Sequence, residues 1–220
     1  MKKITLISLL SLGLLAAAPA QAQWYAGAGI GATDARLEEG AQSASQLAAR
    51  GFTGAVSSRD KRDTGGRIFG GYRVLPSLAI ELGYSDLGKF GLSSRANSGQ
   101  LGAGELTNEI KITGADLSVV GRWPLNGKLS LLGRAGAFAA ESESNAGSAG
   151  TIVLLRDNSA RYKDRETVAT FGLGAEYRLA PKMSLRGEWS RYEKIKTFDV
   201  IGAQQETSVN LYTVGVTIDF

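Results

Sequence analysis

The 220-residue chain contains no cysteine and no histidine, only four prolines, and no apolar run long enough for a transmembrane helix. Each absence removes a class of protein. Without cysteine there is no disulfide framework and no thiol chemistry. Without histidine the commonest general base is missing, and with it the serine or cysteine triads built around an imidazole. The longest apolar stretch, Ile4 to Ala18, is interrupted by Thr5, Ser8, Ser11 and Gly13. It falls short of the about 20 residues that a membrane helix needs.

Charge is also modest. The chain carries 25 basic and 21 acidic residues. Two of the basic residues, Lys2 and Lys3, precede the apolar stretch, and Ala20-Gln21-Ala22 follows it with small residues at a cleavage spacing. This is the pattern of a secretory signal peptide, so residues 1–22 are expected to be removed and residues 23–220 to form one domain. The balance left after Lys2 and Lys3 is nearly neutral, which implies no nucleic-acid partner. No cofactor-binding or metal-binding pattern is present. Gly27-Ala28-Gly29-Ile30-Gly31 lacks the spacing of a nucleotide-binding glycine loop and is read as small residues on an inner wall.

What the chain does have is 29 glycines and a period of two. In the last nine residues Tyr212, Val214, Val216, Ile218 and Phe220 fall on one face of a strand, with Thr213, Gly215, Thr217 and Asp219 on the other. The same alternation recurs at about 24–33, 66–75, 78–87, 109–123, 128–140, 167–179 and 183–192, which gives eight strands of membrane-crossing length. Pro76-Ser77, Pro124-Leu125-Asn126-Gly127 and Ala180-Pro181-Lys182 are tight turns, whereas the links at 34–65, 88–108, 141–166 and 193–207 are long. A short helix is expected within 38–50. Short turns at one end and long links at the other predict an all-β fold, a closed eight-stranded antiparallel up-and-down transmembrane barrel. A soluble lipocalin-like barrel is the competing fold.

Parity then assigns the lumen. Arg67, Glu81, Asp116, Arg134, Glu176, Arg186 and Glu188 point inward at middle depth, with Arg73, Arg122 and Arg178 nearer the short turns. An eight-stranded barrel is just wide enough to be filled by side chains, so these residues are expected to pair into a charge network that plugs it. Leu132, Phe138 and Leu211 break the polar pattern of the inner face. Basic residues Arg59, Lys61, Arg62, Arg156, Arg161, Lys163, Arg165, Lys194 and Lys196 lie in the long links, interleaved with Asp60, Asp63, Asp157, Asp164 and Glu166.

On the signal peptide, the eight strands and the terminal strand ending in Phe220, the chain resembles the OmpA-like and OmpX-like outer-membrane barrels. The resemblance covers the barrel only; a periplasmic peptidoglycan-binding domain is not expected. It implies the outer membrane of a Gram-negative bacterium, contact with lipid and lipopolysaccharide, and a monomer. It also implies delivery by periplasmic chaperones to the barrel-insertion machinery, which would read Tyr212, Val214, Val216, Ile218 and Phe220 as its signal. The function implied is structural or surface-interacting: envelope integrity, adhesion to host or envelope ligands, or lipopolysaccharide contact through the loops. A small gated porin-like channel is the alternative. Enzymes on this architecture employ a histidine, which this chain lacks, so no catalysis is expected.

Overall fold

The computed structural model describes residues 23–36, 53–98, 102–150, 159–198 and 204–220. The expected signal peptide and the expected helix within 38–50 lie outside them. Nine strands run in chain order: β1 Trp24–Arg36, β2 Thr53–Asp60, β3 Arg62–Leu75, β4 Leu78–Ser98, β5 Gly102–Pro124, β6 Leu129–Gly150, β7 Ser159–Ala180, β8 Met183–Phe198 and β9 Gln204–Asp219. Strands β2 and β3 are one stave interrupted at Lys61, since β4 pairs with β3 from Leu78 to Asp86 and with β2 from Gly91 to Asn97. The neighbours run β4-β3-β1-β9-β8-β7-β6-β5, and β5 pairs back onto β4. The result is eight antiparallel staves with no free edge along the closed section.

Closure is made by the first and last strands, in register from Tyr25 opposite Asp219 to Arg36 opposite Ser208. This seam is unusually tight. A Cβ on Gly31 would collide with the Tyr212 carbonyl, and one on Gly215 would lie 2.5 Å from Gly29 Cα. The glycine run in β1 is therefore a close-approach wall, which is the physical reason for its spacing.

The outward faces carry the alternating apolar residues. Ile30, Ile68, Ile80, Leu82, Leu117, Val119, Leu173, Leu185, Val214, Val216 and Ile218 are all exposed. A water-soluble protein does not present an apolar surface that encircles it. Rings border the band: Trp24, Trp123, Tyr177 and Phe220 at the short-turn end, Tyr84, Phe171 and Tyr212 at the other. Tyr212 on β9 and Phe220, the residue that follows that strand, are exposed at positions of the same parity. At about 3.4 Å per residue and a tilt of about 40°, they are separated by roughly 20 Å of height, close to the apolar band of a membrane barrel. No helix long and apolar enough to cross a membrane is found among the described residues, and the strands cross instead.

Beyond the band, the staves differ from expectation. The links expected at 88–108, 141–166 and 193–207 are largely strand, because β4 through β9 continue past the apolar band. Their outward residues are polar there, so hydrophobic alternation ends at the band although the hydrogen-bonded ladder does not. The β5–β6 ladder, for example, is unbroken from Pro124–Ser130 to Gly104–Gly150. At the opposite end, Asn126 organises its turn by accepting from the Lys128 and Leu129 amides at 2.9 and 2.8 Å.

Gly215→Ala should prevent the seam from closing. We expect the refolded fraction, read as heat-modifiable gel mobility, to fall severely, whereas Gly187→Ala, where a Cβ meets nothing within 4 Å, should refold normally. Equal refolding of the two variants would contradict the seam.

Candidate functional site: a closed charge ring between two apolar layers

Six of the seven charges that parity places inward at middle depth meet in one ring. Arg67 on β3 reaches Asp116 on β5 through Nη2 and Nε, at 2.8 and 3.1 Å, and Glu81 on β4 through Nη1 at 3.2 Å. Glu81 accepts a 2.6 Å bond from Arg186 Nη1 on β8, and Arg186 binds Glu188 through Nη2 at 2.5 Å and Nε at 2.8 Å. Arg134 on β6 completes the circuit. Its Nη1 lies 3.0 Å from Asp116, and its Nε is 3.1 Å from Glu188, a charge contact without hydrogen-bond alignment. The order Arg67, Glu81, Arg186, Glu188, Arg134, Asp116 alternates in sign and sums to zero.

Neutral side chains fill the remaining valences, Arg134 Nε excepted. Tyr25 donates to Glu81 at 2.9 Å, Ser118 to Asp116 at 2.9 Å, and Ser190 to Glu188 at 2.8 Å while accepting from Arg134 at 2.8 Å. Phe69 lies against two of the cations, 4.8 Å from Arg67 and 4.6 Å from Arg186. Burial makes this completeness necessary. Arg67, Arg134 and Arg186 are each 4% exposed and Glu81 is 0% exposed. Leaving such a charge unpaired costs several kcal/mol, roughly 3–5 in measured cases.

Glu176 stands apart. It pairs with Arg122 at 3.0 Å nearer the short-turn end, where Arg73 also binds Asp219 at 2.7 Å and covers the Tyr25 ring. Arg178 is exposed at the same rim. Parity gives the face of each residue but not the stagger between strands that decides which charges share a level.

Apolar layers lie on both sides of the ring, and most of this filling was not anticipated. Towards the short turns are Tyr25, Ala79, Val120, Leu132 and Phe69. On the far side Leu87, Phe90, Ile110, Ile112, Phe138, Tyr192, Ile195, Val209 and Leu211 form a larger cluster. Leu132, Phe138 and Leu211, the breaks in inner polarity, belong to these layers. Parity also places Tyr25 and Tyr192 inward, a readable signal, but Phe90 is turned inward by the bulge between Asp86 and Lys89. Beside the ring the free volumes are only about 10 and 20 Å³. Each has room for no more than about one water.

Outside the apolar band a second set of charges faces outward. Glu143 binds Arg161 at 2.5 Å and Lys163 at 3.2 Å, Arg165 binds Glu141 at 2.8 Å, and Lys89 binds Glu109 at 3.0 Å. The Arg161 guanidinium holds the Glu143 carboxyl down at about 2, so it stays ionised through the ordinary pH range. Arg161, Lys163, Arg165, Lys194 and Lys196 therefore belong to strands rather than loops, while Arg156 and Asp157 lie outside the described residues. Tyr212, Val214, Val216 and Ile218 lie on the outward face of β9, and Phe220, just past its end, is exposed as well.

A ring of eight staves, a lipid-facing band with aromatic borders and a side-chain-filled interior define an integral outer-membrane β-barrel. The chain belongs to the OmpA-like transmembrane domain family, whose model matches residues 19–220. It is 26% identical over 208 residues to outer membrane protein A of Salmonella typhi, covering 93% of this chain and 50% of that protein. The chain thus spans about half the length of such relatives. Among solved structures it is similar to OprG of Pseudomonas aeruginosa, with 16% identity, a TM-score of 0.48 and coverage of 90% and 95% of the two chains. It is also similar to Ail of Yersinia pestis, with 13% identity, a TM-score of 0.47 and coverage of 90% and 99%. The protein resides in the outer membrane of a Gram-negative bacterium, surrounded by lipid and lipopolysaccharide, with its short turns on the periplasmic side.

Arg134→Ala should leave the buried ring with three acids against two arginines and destabilise the barrel by about 3–5 kcal/mol in urea titrations of the refolded protein. Arg165→Ala, on an exposed pair, should move the midpoint little. Equal shifts would mean that the ring contributes no more than a surface ion pair.

Proposed function

We propose that this barrel is a sealed structural element of the outer membrane whose specific work is done at its extracellular end, through contact with lipopolysaccharide and surface ligands. The observation that carries the reading is the filled lumen: an internally neutral ring between two apolar layers. An ion path would require the ring to exchange partners and both layers to part. Arg186, shared between Glu81 and Glu188, is the natural point for such an exchange, and this favours a gated channel as the second reading. Sealing is favoured because every ring member is also held by further neighbours.

The outward basic residues support the contact role. Lys89, Arg161, Lys163 and Arg165 lie beyond the apolar band on its long-link side, where guanidinium and ammonium groups can bind phosphate. Their carboxylate partners keep the belt near neutral, so binding would proceed by exchange of partners. We further propose a non-enzymatic protein that is monomeric, since the ring completes its core within one chain. No histidine or cysteine is present to activate a nucleophile, and the ring carboxylates are committed to arginine. Residues 1–22 would direct export, and the outward face of β9 ending in Phe220 would be read by periplasmic chaperones and the insertion machinery.

Planar-bilayer recording of purified, refolded protein should show no discrete conductance; a reproducible unitary conductance altered by Arg134→Ala would establish the channel reading instead. Replacing Arg161, Lys163 and Arg165 together by alanine should weaken lipopolysaccharide binding about tenfold without changing refolding, the loss expected of a few charge-assisted contacts. Unchanged binding would remove the contact role from this belt. Phe220→Ala should lower insertion in cells much more than refolding into detergent; equal losses would confine Phe220 to packing.

A further inference from the structure

The β7–β8 ladder ends at Thr170 opposite Tyr192, although β7 continues to Ser159 and β8 to Phe198. Beyond Tyr192, β8 leaves its neighbour. A register break between Tyr192 and Ile195 marks the departure, and Lys194 within it has φ of 52°, a left-handed conformation that side chains other than glycine seldom adopt. The segment then bonds to inward side chains of other staves, two of which, β5 and β6, are not its neighbours in the barrel. Ser142 Oγ on β6 donates to the Lys196 carbonyl at 2.7 Å, Asn108 Nδ2 on β5 donates to the Phe198 carbonyl at 3.0 Å, and the Phe198 amide donates to Ser144 Oγ at 3.4 Å. The Lys196 amide donates to the Glu166 carboxylate on β7. Inward side chains of β5, β6 and β7 thus occupy the hydrogen-bonding positions of a missing neighbour strand.

We propose that Lys194–Phe198, carried with Gln204–Thr207 of β9, is a lid folded across the extracellular mouth. Its hinge is the Tyr192–Ile195 break. Its underside, Ile195, Thr197 and Thr207, is no more than 2% exposed, with Ile195 joined to the outer apolar layer. Phe198 stacks on Tyr162 at 5.4 Å, and Gln204 Nε2 donates to Asp164 at 3.4 Å. Those contacts seat the rim. The wall holds the lid through side chains in each of these contacts, so the two lid segments can release together while Thr197 and Thr207 stay paired at 3.3 Å. Release would uncover Asn108, Ser142, Ser144, Asp164 and Glu166 and leave the charge ring intact below. The device therefore governs an outer chamber, not conduction through the barrel. It stands whether or not the barrel is sealed.

The absence of native cysteine permits a direct test by maleimide labelling of single-cysteine variants in the refolded full chain. Thr207→Cys, beneath the lid, should react at least about 100-fold more slowly than Glu206→Cys on its exposed face, as expected when reaction requires local opening. Adding Ser142→Ala, Ser144→Ala and Asn108→Ala should raise the Thr207→Cys rate about tenfold or more and leave Glu206→Cys and gel mobility unchanged. If that triple background does not refold, Glu166→Ala alone should raise the same rate by a smaller factor. Equal rates for the two thiols in the native background, or a Thr207→Cys rate indifferent to every wall substitution that refolds, would overturn the lid.

Discussion

Three guanidiniums held in the lumen must each find carboxylate partners there, and the barrel is arranged around meeting that demand. A closed eight-stranded barrel leaves room for side chains but not for bulk water. Charge in that space is tolerable only when paired and hydrogen-bonded. The ring satisfies the condition with three Arg and three acids drawn from β3, β4, β5, β6 and β8. It links strands far apart in sequence, including Glu81 and Arg186, so the staves must hold their mutual stagger for the circuit to close. Buried ion pairs contribute little net stability compared with apolar packing, but a wrong stagger would strand several charges at once. Specification of register is therefore the role that fits them here.

The apolar layers and the glycine seam follow from the same geometry. Ring side chains occupy one level, and the lumen above and below is filled by Phe138, Tyr192, Leu132 and their neighbours, which exclude water from the ion pairs. Water exclusion strengthens each pair and raises the penalty for breaking it. On the wall, Gly27 makes room for the Phe69 ring, and Gly31 and Gly215 let the terminal strands approach. Lipid is met by residues of opposite parity on the same strands, so one alternation serves the membrane and the lumen together.

That alternation is why much of the fold was legible. Period two, three tight turns and the apolar face of Tyr212–Phe220 define the eight staves and the face of each lumen charge. Three features lie beyond such a reading. Glu176 falls outside the ring because strand stagger is a property of pairs, not of single strands. Continuation of β4–β9 past the membrane lacks the outward apolar face that marks a strand in lipid, although Phe90, Ile110 and Ile195 still point inward there. Bulges after Asp86 and Tyr192 reverse parity or bend a strand, and neither Gly88 nor Lys194 announces that by type alone. Ser118 and Ser190 likewise matter through their positions beside the ring rather than through any motif.

Proton exchange at the arginine guanidiniums of the refolded, ¹⁵N-labelled protein would probe the sealed ring most directly. Arg67, Arg134 and Arg186 should give separate side-chain resonances with slow solvent exchange and hindered rotation, well apart from the averaged, rapidly exchanging signal of exposed Arg165. Rapid exchange at all four would mean that water reaches the ring and that the lumen is not sealed.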